Sequence, residues 1–335
     1  DYDTLGRKIQ LDDPDLGVWT YSYDANGNLI NQSDYKFQDI TFAYDELNRD
    51  TSKTYTGADP TVTYVYDNLS IDNGRGRLYS VSNTLVTDTI NGYDSMGRPT
   101  GVSKTISGAA SVYTTGFRYD LAGKLTRLTY PDNYQLDYTY YPGSGLVAYA
   151  AGFDQVTYAF FSDYTSGGQV GQIQYGGQSY ADYVSADQYS YDPLTTRLRK
   201  ITTQVTGSSD YLQWFEYKYT PAGDIKEKSD IARGNTYTYS YDKLHRLVEE
   251  LAEGYLSPLA DTTFDYAYDD TYQPHAVKQI TVNGSAPFDY TYDDNGNMET
   301  GPDFTNPAQV VGRTITYSAD NMPLSIVHGL SLIHI

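Results

Sequence analysis

Apolar and polar positions alternate along this chain with a period of two. Tyr237-Thr238-Tyr239-Ser240-Tyr241 is typical, with rings on one face and hydroxyls on the other. That is the pattern of a strand with one packed face. Long runs of helix-forming Leu, Ala, Glu and Lys are missing. The alternating stretches end in the same way: tyrosine, then aspartate, then a short polar stretch closed by glycine or asparagine. The pattern predicts many short strands joined by tight turns.

Self-similarity makes the prediction specific. The first unit reads Tyr2-Asp3-Thr4-Leu5-Gly6-Arg7-Lys8-Ile9, the next Tyr23-Asp24-Ala25-Asn26-Gly27-Asn28-Leu29, the third Tyr44-Asp45-Glu46-Leu47-Asn48-Arg49. The anchoring tyrosines at 2, 23 and 44 are two steps of 21 residues apart. Further copies start at Tyr93, Tyr119, Tyr219, Tyr241, Tyr292 and Tyr317, with spacings that drift from 22 to 28 between neighbours. Tyr66-Asp67 opens a long-loop version that rejoins at Gly76-Arg77-Leu78, and Tyr191-Asp192-Pro193 opens another that rejoins at Arg197-Leu198.

Each position in the unit has a physical task. The carboxylate of Asp3, Asp24, Asp94, Asp120, Asp242 or Asp293 can accept the turn's backbone N–H groups. Four residues after the tyrosine stands Gly6, Gly27, Gly97, Gly123, Gly223 or Gly296, or else Asn48 or Asn321. Those residue types tolerate positive φ, as a type I turn followed by a bulge requires. Every unit is therefore read as a β-hairpin whose turn is set by Tyr2, Asp3, Gly6, Tyr23, Asp24, Gly27, Tyr93, Asp94, Gly97, Tyr119, Asp120, Gly123, Tyr241, Asp242, Tyr292, Asp293 and Gly296. A single hairpin is marginal in water. Successive hairpins are expected to pair edge to edge and to stack their tyrosines, and a twisted ribbon of them to coil. The fold class is all-β: repetitive antiparallel hairpins forming a curved, spiralling sheet.

Composition agrees. The chain has 335 residues, with 38 Tyr against 10 Phe and 2 Trp, and Tyr favours half-buried pleated surfaces. A formal charge of −20 repels a phosphate backbone, which argues against nucleic-acid binding, and it helps keep strand edges apart. There is no cysteine, so there are no disulfides and no thiolate metal sites. No apolar stretch approaches the roughly 20 residues that span a bilayer.

Candidate chemistry fares poorly. His245, His275, His328 and His334 show no HxxxH or HExxH spacing. Asp293-Asp294-Asn295-Gly296 resembles part of an EF-hand loop. In that register, however, Thr291 takes the first ligand position and Pro302 the place of the bidentate glutamate. Asp12-Asp13 and Asp269-Asp270 are neighbours in expected loops rather than separated glycosidase carboxylates. GxSxG is absent, and Gly74-Arg75-Gly76-Arg77 lacks a P-loop lysine. No catalytic residue, metal site or cofactor is expected.

The units resemble the YD repeats of the Rhs family, related to teneurins and insecticidal toxin complexes. The likeness covers nearly the whole chain. Pro274-His275-Ala276-Val277, then Tyr290-Thr291-Tyr292-Asp293-Asp294-Asn295-Gly296-Asn297-Met298, then Arg313-Thr314-Ile315-Thr316-Tyr317 is similar to the last repeats before the core of bacterial members. The resemblance implies a repeat array over 1–327, divergent over 145–190, forming part of a hollow β shell around a C-terminal toxin in an exported or cell-surface protein. Its partners would be the remaining polypeptide, with the Rhs core and the toxin, and a secretion apparatus. No DPxG motif is present, so the family's autoproteolytic aspartates are assigned to no residue here. Asp1-Tyr2-Asp3 already lies inside a repeat, so the true N-terminus is expected to lie upstream. Residues 328–335 break the pattern. Their Leu330-Ser331-Leu332-Ile333-His334-Ile335 reads as a translated library adapter, the alternative being a natural apolar strand. The rival function is an adhesive surface that stacks sugars on tyrosine, which would need a local aromatic cluster facing solvent.

Overall fold

Turn chemistry and alternation together dictate a meander, and a meander is what forms. The structure is a computed structural model that describes residues 1–154, 156–177, 183–254, 261–303 and 311–328, together with the backbone of 331–334. Among the described residues there is no helix. Strands run from Gln10–Asp13 to Ser331–His334, and successive strands pair antiparallel. A 24-stranded sheet is followed, after the break between Phe288–Asp289 and Thr291–Tyr292, by a five-stranded one. The run 145–190 does not interrupt the meander: Val147–Gly152, Thr157–Ser162, Gln172–Tyr175 and Ser185–Tyr191 pair in order.

The register slips by one residue immediately before the turn tyrosine, at Ser22/Tyr23, Ala43/Tyr44, Arg118/Tyr119, Ser240/Tyr241 and Thr291/Tyr292. This is the bulge that a type I turn closed by a positive-φ residue imposes. A bulge repeated at one end of successive hairpins adds twist in one sense, so the ribbon curves. The curvature brings the chain back on itself, as the seam described below shows.

The wall is thin. Along Gly17–Tyr23 the aromatic positions are half-buried while Thr20 and Ser22 are exposed. Among the described residues few apolar side chains are buried outright, Ile40, Phe264 and Ile280 among them, and no large side chain is fully enclosed. The accessible surface is 19805 Å². A compact 37.5 kDa body would expose about 13,800 Å². The excess is what a curved single sheet without a filled interior exposes.

Candidate functional site: the tyrosine–aspartate turn and its seam

The turn is built by its aspartate. Asp3 Oδ1 accepts the N–H groups of Leu5 and Arg7, both at 2.9 Å, while the N–H of Gly6 donates to the Asp3 carbonyl at 3.0 Å. The same bonds recur at Asp94, whose Oδ1 accepts from Met96 and Arg98. At Asp120, Oδ1 accepts the N–H of Lys124. Asp24 bonds Asn28 through both backbone and side chain. At Asp242, Oδ1 accepts from Leu244 and Arg246, and at Asp293 it accepts from Asn295 and Asn297. Gly6, Gly27, Gly97, Gly123 and Gly296 all have φ between 76° and 91°. Where the sequence offers Asn48, Asn321 or His245 instead, the backbone adopts the same left-handed conformation. The Arg7 N–H above all holds the Asp3 carboxyl below its usual range; those of Arg49 and Arg98 do the same for Asp45 and Asp94.

The tyrosine ties one hairpin to the one before it. Tyr23 donates its hydroxyl to the Lys8 carbonyl at 2.7 Å, Tyr44 to Leu29 at 2.8 Å and Tyr93 to Leu78 at 2.6 Å. Tyr241 donates to Ile225 and Tyr292 to Val277, each at 2.9 Å. Tyr2 stands at the start of the chain, 69% exposed.

Sequence reasoning missed the third member, the basic residue five places after the tyrosine. Arg98 Nε donates to Asp94 Oδ2 at 2.6 Å, its guanidinium lies 4.6 Å from the Tyr119 ring centre, and Nη1 donates to the Asp120 carbonyl at 2.9 Å. Arg7 bridges Asp3, Tyr23 and Asp24 in the same manner, and Arg246 bridges Asp242, Tyr268 and Asp270. Lys124 lies over Tyr140. Ring-on-ring stacking, expected between regular units, is instead found at irregular places such as Tyr134–Phe153 and Tyr149–Phe160. The reason is distance. Equivalent tyrosines lie two strands apart, about 9.5 Å, while ring contact needs about 4.5–7 Å, so a cation from the intervening strand fills the gap. The signal was present in the sequence as Arg7, Arg49, Arg98 and Arg246 at one offset.

Some turn tyrosines were not named from the sequence. Tyr268 donates to the Leu247 carbonyl and Tyr140 to that of Leu125, so both are turn tyrosines. Asp269-Asp270, read as a bare loop, belongs to the long turn that follows Tyr268.

The far ends of the early hairpins meet the tyrosine–aspartate turns of the late ones. Asp15 Oδ1 accepts the His275 N–H at 2.9 Å, and its other oxygen meets the His275 ring. Lys36 pairs with Asp293 at 2.9 Å, and Asn295 donates to Asp34 at 2.6 Å. Lys53 and Tyr55 both bond Asp320, and the Ala319 N–H donates to Asp59 at 2.6 Å. The partners are 257 to 267 residues apart in each case. A constant offset along a ribbon is the mark of a spiral, with one edge of the first coil seated on the opposite edge of the next. Asp34, Asp293 and Asn295 are 5%, 7% and 2% exposed, so the middle contact of the seam is shut off from water, while the His275 and Asp320 contacts on either side stay partly exposed. Asp293 stays below the usual carboxyl range although burial, the largest influence, opposes it, because Asn297 and Lys36 bond it.

Elsewhere the surface offers little chemistry. A groove of about 330 Å³ beside Tyr191, Lys200, Glu216, Lys218 and Glu227 holds paired charges, with Lys218 2.7 Å from Glu227. His245 pairs with Asp224 and His275 with Asp15. Among the described residues no group of three His, Cys, Asp or Glu side chains is placed to hold a metal ion, and no helix is long and apolar enough to cross a membrane.

An all-β meander whose tyrosine–aspartate turns recur on one edge is a fold class in itself, the curved sheet of paired hairpins that the repeats predicted. Its fold is that of the TcdB2–TccC3 crystal structure, to which it is similar with a TM-score of 0.71 and 14% identity over 97% of this chain and 20% of the other. The Photorhabdus luminescens Tc holotoxin pore, with TccC3 mutated, gives 0.71 and 15% over the same shares. The chain is 28% identical over 293 residues to the double-stranded DNA deaminase toxin A of Burkholderia cenocepacia (strain H111), covering 80% of this chain and 20% of that protein. It thus spans about a fifth of the length of these relatives. No protein-family model matches it.

Proposed function

We propose that this chain is a wall segment of an exported shell that encloses a C-terminal toxin until delivery, without catalysis of its own. The single observation that carries the reading is the closed seam: a thin sheet that coils and locks edge to edge makes a barrier rather than a pocket. Likeness to toxin components supports the toxin as the enclosed partner. The repeat-turn residues, Tyr23, Asp24 and Gly27 and their counterparts, then act as the fastening of that wall.

The test uses the longer native protein. Its C-terminal segment should resist added protease, and Lys36→Glu combined with Lys53→Glu, which places like charges against Asp293 and Asp320, should expose it. Equal digestion of that segment in both proteins, at the rate of the isolated segment, would sink the reading.

One cluster favours the adhesive alternative. Tyr134 and Tyr158 join hydroxyls at 2.6 Å beside Asp154, and Phe153 stands 64% exposed against Tyr134. An array of glycans decides between the readings: the shell reading expects no binding, and selective binding lost in Tyr158→Ala would favour the adhesin.

A further inference from the structure

The strands of this wall are held by backbone ladders, which carry no titrating group. The seam is held differently. Among the described residues, Asp15 meets His275, Asp34 accepts from Asn295, and Asp293 takes Lys36. Asp320 takes Lys53 and Tyr55, and Asp59 accepts the Ala319 N–H. Each of these rungs ends on an aspartate carboxylate. The Gln273 N–H, which reaches the Pro14 carbonyl at 3.2 Å, and Leu16, packed at Gly296, add contacts that do not.

A carboxyl that gains a proton keeps an oxygen that accepts N–H bonds, so a turn such as that of Asp3 retains its geometry. It no longer balances a cation. With Asp293 neutral, Lys36 would stand unpaired in a contact shut off from water, where a lone charge is strongly destabilising. Lys53 would likewise face a neutral Asp320, and His275 a neutral Asp15. The other titratable groups facing these rungs are Asp13 beside Asp15, Tyr35, Tyr272 and Asp294 beside Asp293, and Asp50 and Tyr64 beside Asp320. None of them stays negative in acid. Across the whole chain 23 Lys and Arg would lose the counter-charge of 43 acidic residues, and like charge would press the coils apart. We propose that the seam is a proton-operated fastening: acid frees one coil from the next while the hairpins within each stay paired. Asp293 is held below the usual carboxyl range, so its rung lasts longest. The stability it gives is present above 3.8 and is lost as pH falls through the lowered value. The inference goes beyond the shell reading and holds whatever the wall encloses.

Energy transfer between two dyes tests it. The chain has no cysteine, so Phe37→Cys and Met322→Cys, at residues 82% and 63% exposed, place one label on each side of the seam. Phe37 lies in the turn of Asp34, and Met322 follows Asn321, which Asn295 bonds at 3.1 Å. Work at nanomolar concentration keeps association out of the signal. Transfer should be high at neutral pH and fall reversibly towards about pH 3, before the circular dichroism of the strands is lost. Asp293→Asn with Asp320→Asn, uncharged at every pH, should show the low transfer already at neutral pH, with circular dichroism unchanged. The proposal is overturned by transfer that persists in acid, by transfer and circular dichroism lost in one step, or by an asparagine variant that keeps the transfer of the parent at neutral pH. If that variant fails to fold, the acid series of the parent decides alone, and the same label pair carried in the longer native protein repeats it. Protease protection is read at neutral pH, so this inference and the shell reading fail separately.

Discussion

Replacing Tyr93 with phenylalanine isolates the bond that fastens one hairpin to the next. The Tyr93 hydroxyl reaches the Leu78 carbonyl at 2.6 Å, and the residue is only 7% exposed. The ring under Arg77 is unchanged by the substitution, so the lost quantity is one hydrogen bond between neutral groups. Such a bond contributes about 0.5–1.5 kcal/mol net, and a carbonyl left without its partner away from water raises the cost to about 1–2 kcal/mol. That corresponds to roughly a 5- to 30-fold larger opening constant. Native-state hydrogen exchange reads it locally, which suits an array whose hairpins contact mainly their neighbours. Amides of Leu78–Ser82 and Val86–Tyr93 should lose protection by that factor, while those of Gly17–Tyr23 should not change. Tyr2→Phe is the control, since Tyr2 is 69% exposed. Equal effects at the two positions, or none at Tyr93, would refute the idea that the hydroxyl fastens the units.

Three further outcomes are expected. Gly97→Ala should destabilise by about 1–2 kcal/mol, because φ is 82° and the new methyl meets the Arg77 guanidinium; Gly6→Ala, with open space around it, should cost less in the same denaturant titration. Asp3, Asp45, Asp94 and Asp192 are held below 3.8, chiefly by the N–H groups of Arg7, Arg49, Arg98 and Thr195. The unfolded chain therefore takes up protons first: stability should be complete above about pH 5 and drain as pH falls through the lowered values, and a flat profile between about pH 6 and 3 would contradict this. Burial pushes Tyr175 and Tyr292 up to about 12, so stability present below pH 10 should be lost as pH rises through the folded values; Tyr175→Phe with Tyr292→Phe should lessen that alkaline loss in a circular-dichroism titration, and an unchanged profile would contradict it.

Much of the fold was legible because the unit repeats. Alternation in Tyr237–Tyr241 marked a strand, and glycine four places after tyrosine marked the turn and its bulge, since each is a local property of backbone and side chain. The cation between tyrosines was not read, although Arg7, Arg49 and Arg98 share one offset, because its partner lies on the next hairpin. Tyr140 is followed by Tyr141 where the repeat has aspartate, and the long turn after Tyr268 hid an ordinary unit. The seam was beyond reach: nothing in Asp15 or Lys36 names His275 or Asp293, and only the accumulated curvature of the intervening strands brings them together. Past residue 327, Ser331–His334 pairs in register with Pro323–His328.

The spiral offset also constrains how such a protein can change length. The two edges mesh like the teeth of a rack, with Lys36 against Asp293 and Tyr55 against Asp320. Lengthening a loop, as between Tyr66 and Gly76, leaves the count of teeth unaltered and the mesh intact. Inserting or deleting a whole hairpin anywhere between Lys53 and Gln273 would slide the later teeth one notch, and charges cut for one neighbour would face another. Drift should therefore collect in loop length, while the number of hairpins per coil stays locked.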